Sequence, residues 1–307
     1  MSLKKPLEDI SRRLKVDTGR PDFENAVADA FSFLDFKVEV IAETQAESDL
    51  IIKAYLPQKP FFVIIECSAV REGEFVSYQK LGQIRGNAPK YFLQYGKELP
   101  SYYKMIVGRP AFSGDTKKHA LDDVVLLTTD VLTDLLELHN VFQFSQDELR
   151  LIFETKGEVR QERLGELVSP YLKNLKACAL VFMGLLEEPT SHPDKRKREW
   201  ISIQNLVGAV SILSWFLDAD DITSSETLGA VAELSSPLKR VLQLSLDERL
   251  KLTSIPFEVV MEKMGRQGET FRGILANFQS RLKSKKSAEE KKTRSLTLEV
   301  LTSPKSD

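Results

Sequence analysis

The residues of this chain best suited to chemistry are two carboxylates in neighbouring apolar runs. Asp49 stands in Glu47-Ser48-Asp49-Leu50-Ile51-Ile52, and Glu66 follows the apolar run of Phe61-Phe62-Val63-Ile64-Ile65-Glu66-Cys67-Ser68. An apolar run of that length reads as a strand buried on both faces. An ionised Glu at its end is costly unless it meets a cation or a hydrogen-bonding partner. Two carboxylates on paired strands make a cradle for a hard divalent ion such as Mg²⁺ or Mn²⁺, which takes oxygen ligands. The plainer alternative is a pair of solvated strand ends, where acidic residues are common.

Elements on either side must position such a pair. Upstream, Arg20 to Phe31 carries apolar residues at 23, 26, 27, 30 and 31, one stripe on a helix, with Asp22 as its expected N-cap. Phe33 to Ile41 alternates apolar and polar, as a half-buried strand does. Downstream, Lys80-Leu81-Gly82-Gln83 opens a further helix, Tyr103-Lys104-Met105-Ile106-Val107-Gly108 reads as a strand, and Val125 to Leu132 as a strand running into a helix.

The order helix, strand, Asp strand, Glu strand, helix resembles the core of the PD-(D/E)-x-K nuclease superfamily. Within it, residues 10 to 155 resemble the cleavage domain of FokI-type type IIS restriction endonucleases. That resemblance implies an α/β restriction-endonuclease-like domain, a central mixed sheet flanked by helices. It also implies a Mg²⁺- or Mn²⁺-dependent DNA endonuclease, with Asp49, Glu66 and the Cys67 carbonyl as metal ligands. A Glu on the first helix, here Glu24, orients a ligand or binds a second ion in many members. Its neighbour Asn25 and the acidic Asp22 equally suit capping and first-turn positions that complement the helix dipole. Gln83, in the position of a family Gly-Gln pair, could bond a metal-bound water or a phosphate oxygen.

The chain departs from the family at the x-K position, which is Ser68. Alternation puts 66 and 68 on one face of the strand, but serine supplies no positive charge. Lys80, on the helix after the Glu strand, and Lys53, on the Asp strand, are the two replacements. Lys53 shares a face with Asp49 but lies about 13 Å further along, at roughly 3.3 Å per residue, so Lys80 is the better candidate. Arg85, Lys90 and Lys97, interleaved with Tyr91, Phe92 and Tyr95, suit either phosphate contact or a buried helix face.

Composition bounds the alternatives. At 307 residues, 42% hydrophobic and 29% charged, the chain is long enough for two domains with ordinary cores. Its net charge of −2 excludes a generally polycationic nucleic-acid binder, so any DNA contact needs a local basic face. Cys67 and Cys178, with His119, His139 and His192 dispersed, give no zinc or disulfide pattern. No secretory h-region follows Met1, and the apolar stretch from Leu206 to Leu217 is too short to span a bilayer. The expectation is a cytoplasmic protein without a membrane partner.

From about residue 145 the pattern turns helical, so an all-α domain is expected over 156–285 and a charged tail over 286–307. Ser145-Gln146-Asp147-Glu148, Thr223-Ser224-Ser225-Glu226 and Ser245-Leu246-Asp247-Glu248 read as capping boxes. Leu234 to Leu252 reads as an amphipathic helix. Phe271 to Lys283 is the best candidate for a helix that reads DNA, and Lys195-Arg196-Lys197-Arg198 is a basic run beside a loop. This half would recognise DNA, hold a partner subunit or make a homodimer. Three readings follow: an endonuclease, an inactive nuclease-fold module that binds DNA or protein, or a helical interaction protein on an α/β scaffold.

Overall fold

A computed structural model describes residues 4–16, 20–41, 49–71, 73–187, 201–217, 222–235, 242–244, 249–252, 260–262 and 264–302. The chain divides into two compact units, Met1–Val168 and Ser169–Asp307.

The first unit is built on a six-stranded mixed sheet in the order β1-β2-β3-β4-β5-β6. Helices α1 (Lys4–Lys15) and α2 (Arg20–Phe33) precede β1 (Lys37–Val40), β2 (Leu50–Ala54) and β3 (Phe61–Ala69). Helix α3 (Gln79–Tyr95) then crosses to β4 (Ser101–Arg109), α4 (Gly114–Ala120) to β5 (Val125–Thr128), and α5 (Thr129–Phe142) with α6 (Gln146–Phe153) to β6 (Gly157–Glu158). The first three strands are antiparallel neighbours, and the later pairs, β3 with β4 onward, are parallel. The expected order of helix, strand, Asp strand, Glu strand, helix and strand is therefore that of α2, β1, β2, β3, α3 and β4.

Each face of the sheet is covered, which is why β2 and β3 are apolar without alternation. On one face Ile51, Phe62, Ile64, Ile106 and Leu126 pack with Leu81, Ile84, Ala88 and Tyr91 of α3. On the other, Phe31 of α2, Phe36, Phe61 of β3, Tyr103 of β4 and Phe153 of α6 form an aromatic cluster with ring centroids 5.4–6.4 Å apart.

Two local expectations are corrected here. Asp22 lies in the first turn of α2, which begins at Arg20, and is not its N-cap. The alternating stretch from Phe33 starts inside that helix. Asp35, at φ 65°, takes the left-handed position, its N–H donating to Ser32 O and that of Phe36 to Phe31 O, both 3.1 Å. This paired closure ends the helix and delays the strand to Lys37. The capping box at Ser145 forms as expected at the start of α6.

The second unit takes up α7 (Gln161–Glu187) from Ser169 and carries α8 (Ile203–Phe216), α9 (Ser224–Ser235) and a last helix, Gly268–Thr302. It is predominantly helical, with one addition: β7 (Ile201–Ser202), β8 (Leu242–Leu244) and β9 (Arg249–Leu252) form an antiparallel sheet in the order β7-β9-β8. The helix expected over Leu234 to Leu252 is thus a correction. Pro237 interrupts it, and Leu242, Leu244, Leu250 and Leu252 recur at the strand period of two. The box at Thr223 forms, Glu226 Oε2 accepting from the Thr223 N–H at 2.8 Å and Thr223 Oγ1 from the Glu226 N–H at 3.2 Å. That at Ser245–Glu248 and the basic run at 195–198 lie outside the described residues.

Phe271, Leu275, Phe278 and Leu282 are buried along one stripe of the last helix, with Arg272, Gln279 and Lys283 exposed. Where a charged tail was expected, this helix continues to Thr302. No Gly or Pro interrupts residues 274–303. Among the described residues no helix is long and apolar enough to cross a membrane.

Candidate active site

Asp49 and Glu66 are both fully buried. The β2–β3 register sets Leu50 opposite Ile65 and Ile51 opposite Ile64, so the end of β2 arrives beside the end of β3. There the Asp49 N–H donates to Ile65 O at 3.1 Å, and the Asp49 carboxylate Oδ2 accepts from the Cys67 N–H at 2.6 Å. Asp49 thus grips β3 on both sides of Glu66. Alternation from Phe62 and Ile64 turns Glu66 toward α3. Its Oε1 meets Lys80 Nζ at 2.5 Å, and the same ammonium donates to Gln83 Oε1 at 3.3 Å. Lys80 and Gln83 are three apart on the first turns of α3, hence on one helix face.

The Cys67 thiol records the charge around it. Burial pushes its pKa well up, and Asp49, Glu24 and Glu66 push it further, while Lys80 acts the other way. The thiol is therefore a neutral S–H at ordinary pH. Glu24 itself is buried on α2. The residues singled out from sequence, Glu24, Asp49, Glu66, Cys67, Lys80 and Gln83, converge on the ends of β2 and β3.

Lys53 belongs elsewhere. Its Nζ pairs with Glu39 Oε2 at 2.5 Å and lies 3.9 Å from the centroid of the Tyr95 ring, whose hydroxyl donates to Glu39 Oε1 at 2.8 Å. The Lys53 ammonium lowers the Glu39 pKa, and burial first, then Glu39, raises that of Tyr95. Arg85 is likewise committed, to Asp123 Oδ1 at 2.5 Å and His119 O at 2.7 Å, and Tyr91 lies in the core. The phosphate-contact reading of this helix face is not needed to explain either residue.

One cation at this end of the sheet was not singled out from sequence. Arg109, the last residue of β4 and the partner of Ala69 in register, is buried, with its guanidinium donating to Val16 O and lying 5.3 Å from the Phe23 ring centroid. Its signal was available: a charge closing an apolar run, as Glu66 does.

The donor set that could hold an ion is two carboxylates and the Cys67 carbonyl, all oxygen, which suits a hard divalent cation and not a soft one. Among the described residues no group of three or more His, Cys, Asp or Glu side chains stands ready to hold a metal. Any ion here would thus draw on backbone oxygen and water as well.

No protein-family model and no curated protein matches the chain. Similar solved structures include the restriction endonuclease FokI, at 14% identity and TM-score 0.41, covering 50% of this chain and 31% of that one. FokI bound to DNA is similar at 13% and 0.41, covering 50% and 30%. MspJI restriction endonuclease in complex with a 27-mer oligonucleotide is similar at 13% and 0.32, covering 55% and 40%. The chain spans about a third of the length of the FokI structures.

Proposed function

We propose that the chain is a metal-dependent DNA endonuclease that hydrolyses phosphodiester bonds, cutting with its first unit and using the second to recognise substrate, bind a partner subunit or dimerise. The observation that carries this reading is the convergence of two fully buried carboxylates, Asp49 and Glu66, with the Lys80 ammonium at 2.5 Å from Glu66. Burying two carboxylates at one sheet end is unfavourable without cationic compensation.

Asp49, Glu66 and the Cys67 carbonyl would hold Mg²⁺ or Mn²⁺. Such an ion, when bound, lowers the pKa of a coordinated water and neutralises charge on a phosphate. Lys80 has the reach and charge to hold the attacking water and offset charge at the scissile phosphate, the task Ser68 cannot perform. Gln83 orients Lys80 through its side-chain oxygen. Glu24 raises the negative potential of the site and so its hold on cations.

A second reading is favoured by one specific observation. The motif position holds Ser68, and Lys80 is engaged by Glu66, so the domain could bind DNA or a partner protein without cutting. Titration of plasmid cleavage with Mg²⁺ and Mn²⁺, beside EDTA, separates the two. Nicking or linearisation that EDTA abolishes supports the enzyme. Salt-sensitive DNA binding without cleavage at any metal concentration supports the inactive module.

A further inference from the structure

Arg109 is a buried cation that the proposed chemistry does not use. Register sets it opposite Ala69, at the parallel ends of β4 and β3. Cys67 and Ala69 share one face of β3, so their partners Val107 and Arg109 lie on that same face. It is the face on which α2 packs, with Glu24 buried near the start of that helix.

The guanidinium of Arg109 joins two helices. It donates to the carbonyl of Val16, one of the acceptors left over where α1 ends, and its charge suits that end of the helix dipole. It also lies 5.3 Å from the centroid of the Phe23 ring. Phe23 is itself buried and immediately precedes Glu24. A planar fork can serve a carbonyl and a ring face together, a geometry that a compact ammonium lacks. The start of α2 is thereby tied to the strand ends beside Glu66 and Cys67. The Glu24 carboxylate reaches the same place, since it acts on the Cys67 thiol together with Asp49 and Glu66.

We propose that Arg109 is a positioning residue of the candidate metal site: by gripping the end of α1 and the first turns of α2 from the end of β4, it sets the Glu24 carboxylate toward the ion that Asp49 and Glu66 would hold. The inference rests on the endonuclease reading and adds a residue to its machinery. Charge alone predicts the opposite effect, because a cation beside a cation site disfavours the ion.

The test is Mn²⁺ binding to the full chain without DNA, read by isothermal titration calorimetry. Arg109→Met should weaken binding about tenfold, the scale of loss when a residue that orients a ligand is removed. Glu24→Gln should also weaken it, and Arg109→Met added to Glu24→Gln should cost nothing more. Phe23→Leu, which removes the ring beneath the guanidinium, should repeat this pattern, and it decides the matter if circular dichroism shows Arg109→Met unfolded. Binding by Arg109→Met that equals or exceeds the parent's overturns the inference, as does parent-like binding by Glu24→Gln. A loss that persists in full beside Glu24→Gln does the same, marking a general role in the fold. The endonuclease reading survives these results as long as Asp49→Asn abolishes Mn²⁺ binding. Parent binding that is absent, or indifferent to Asp49→Asn, overturns that reading as well.

Discussion

Lys80 and Glu66 form an ion pair with one end sealed and the other wet: the Glu66 side chain is 0% exposed and that of Lys80 25%. The carboxylate relies on the ammonium, while the ammonium keeps partial hydration. Removing either partner thus has unequal consequences.

Asp49→Asn and Glu66→Gln should abolish cleavage and leave the fold intact, since each amide keeps the shape of the acid it replaces. In Glu66→Gln the stranded ammonium still reaches water. Circular dichroism should match the parent, and plasmid cleavage should fall below a tenth of it. Residual activity above that level in both variants would remove these residues from the ligand set.

Lys80→Ala strips the counter-charge from a fully buried carboxylate. It should lower stability by roughly 2 kcal/mol, read by urea unfolding. It should also cut turnover with little change in DNA affinity, as expected of a contact made mainly in the transition state. Adding Ser68→Lys to that variant should restore part of the turnover, since residue 68 shares a strand face with Glu66. Turnover indifferent to Lys80→Ala would show that this ammonium does no catalytic work.

Lys53→Met should spare cleavage and cost stability in a pH-dependent way. The Lys53 hydrogen bond lowers the Glu39 carboxyl below its ordinary 4.5 in the folded state. A carboxyl with a depressed folded pKa stabilises the fold above its unfolded value, and that gain is lost as pH falls through the folded one. The stability gap between parent and variant should therefore be full near neutrality and shrink below about 4.5. A gap that stays constant from pH 7 to pH 3 in denaturant titrations would show that packing against Tyr95, not charge, is what Lys53 contributes.

Gly108 stands opposite Ser68 in the β3–β4 register, and a Cβ there would come within 2.5 Å of the Phe112 ring. Gly108→Ala should destabilise by roughly 1–3 kcal/mol, the usual cost of overpacking. Because Phe112 also bridges to Val76, the change should disturb the loop ahead of α3. Phe112→Leu in the same chain should recover part of the loss, a coupling visible in a double-mutant cycle.

Much of the first unit was legible because its elements announce themselves locally. The stripe at 23, 26, 27, 30 and 31 and the apolar run at 61–65 each satisfy one period. The boundary at Asp35 was not, since a left-handed helix ending rests on backbone conformation, and the last helical turn mimics a strand's alternation. Lys80 was legible as a candidate because the neighbouring Ser68 could not carry charge. Arg109 closes an apolar run as Glu66 does, a signal that was passed over, whereas its place beside the end of β3 depends on a long-range pairing that spacing does not encode. In the second unit the helix expectation followed Leu234, Leu238 and Leu242, which share a helix face, while Pro237 and the period-two leucines of β8 and β9 argued for strands.

The two carboxylates sit on a hairpin whose strands are joined by residues 55–60, whereas Lys80 arrives with the connection that carries the chain from β3 to β4. Short loops close before long ones, so during folding the mutual repulsion of Asp49 and Glu66 is met before the charge that relieves it. The carboxylate end of the hairpin is therefore opposed by its own charge until α3 docks. Salt in the folding buffer, by screening the two carboxylates, should ease closure of the hairpin before α3 docks.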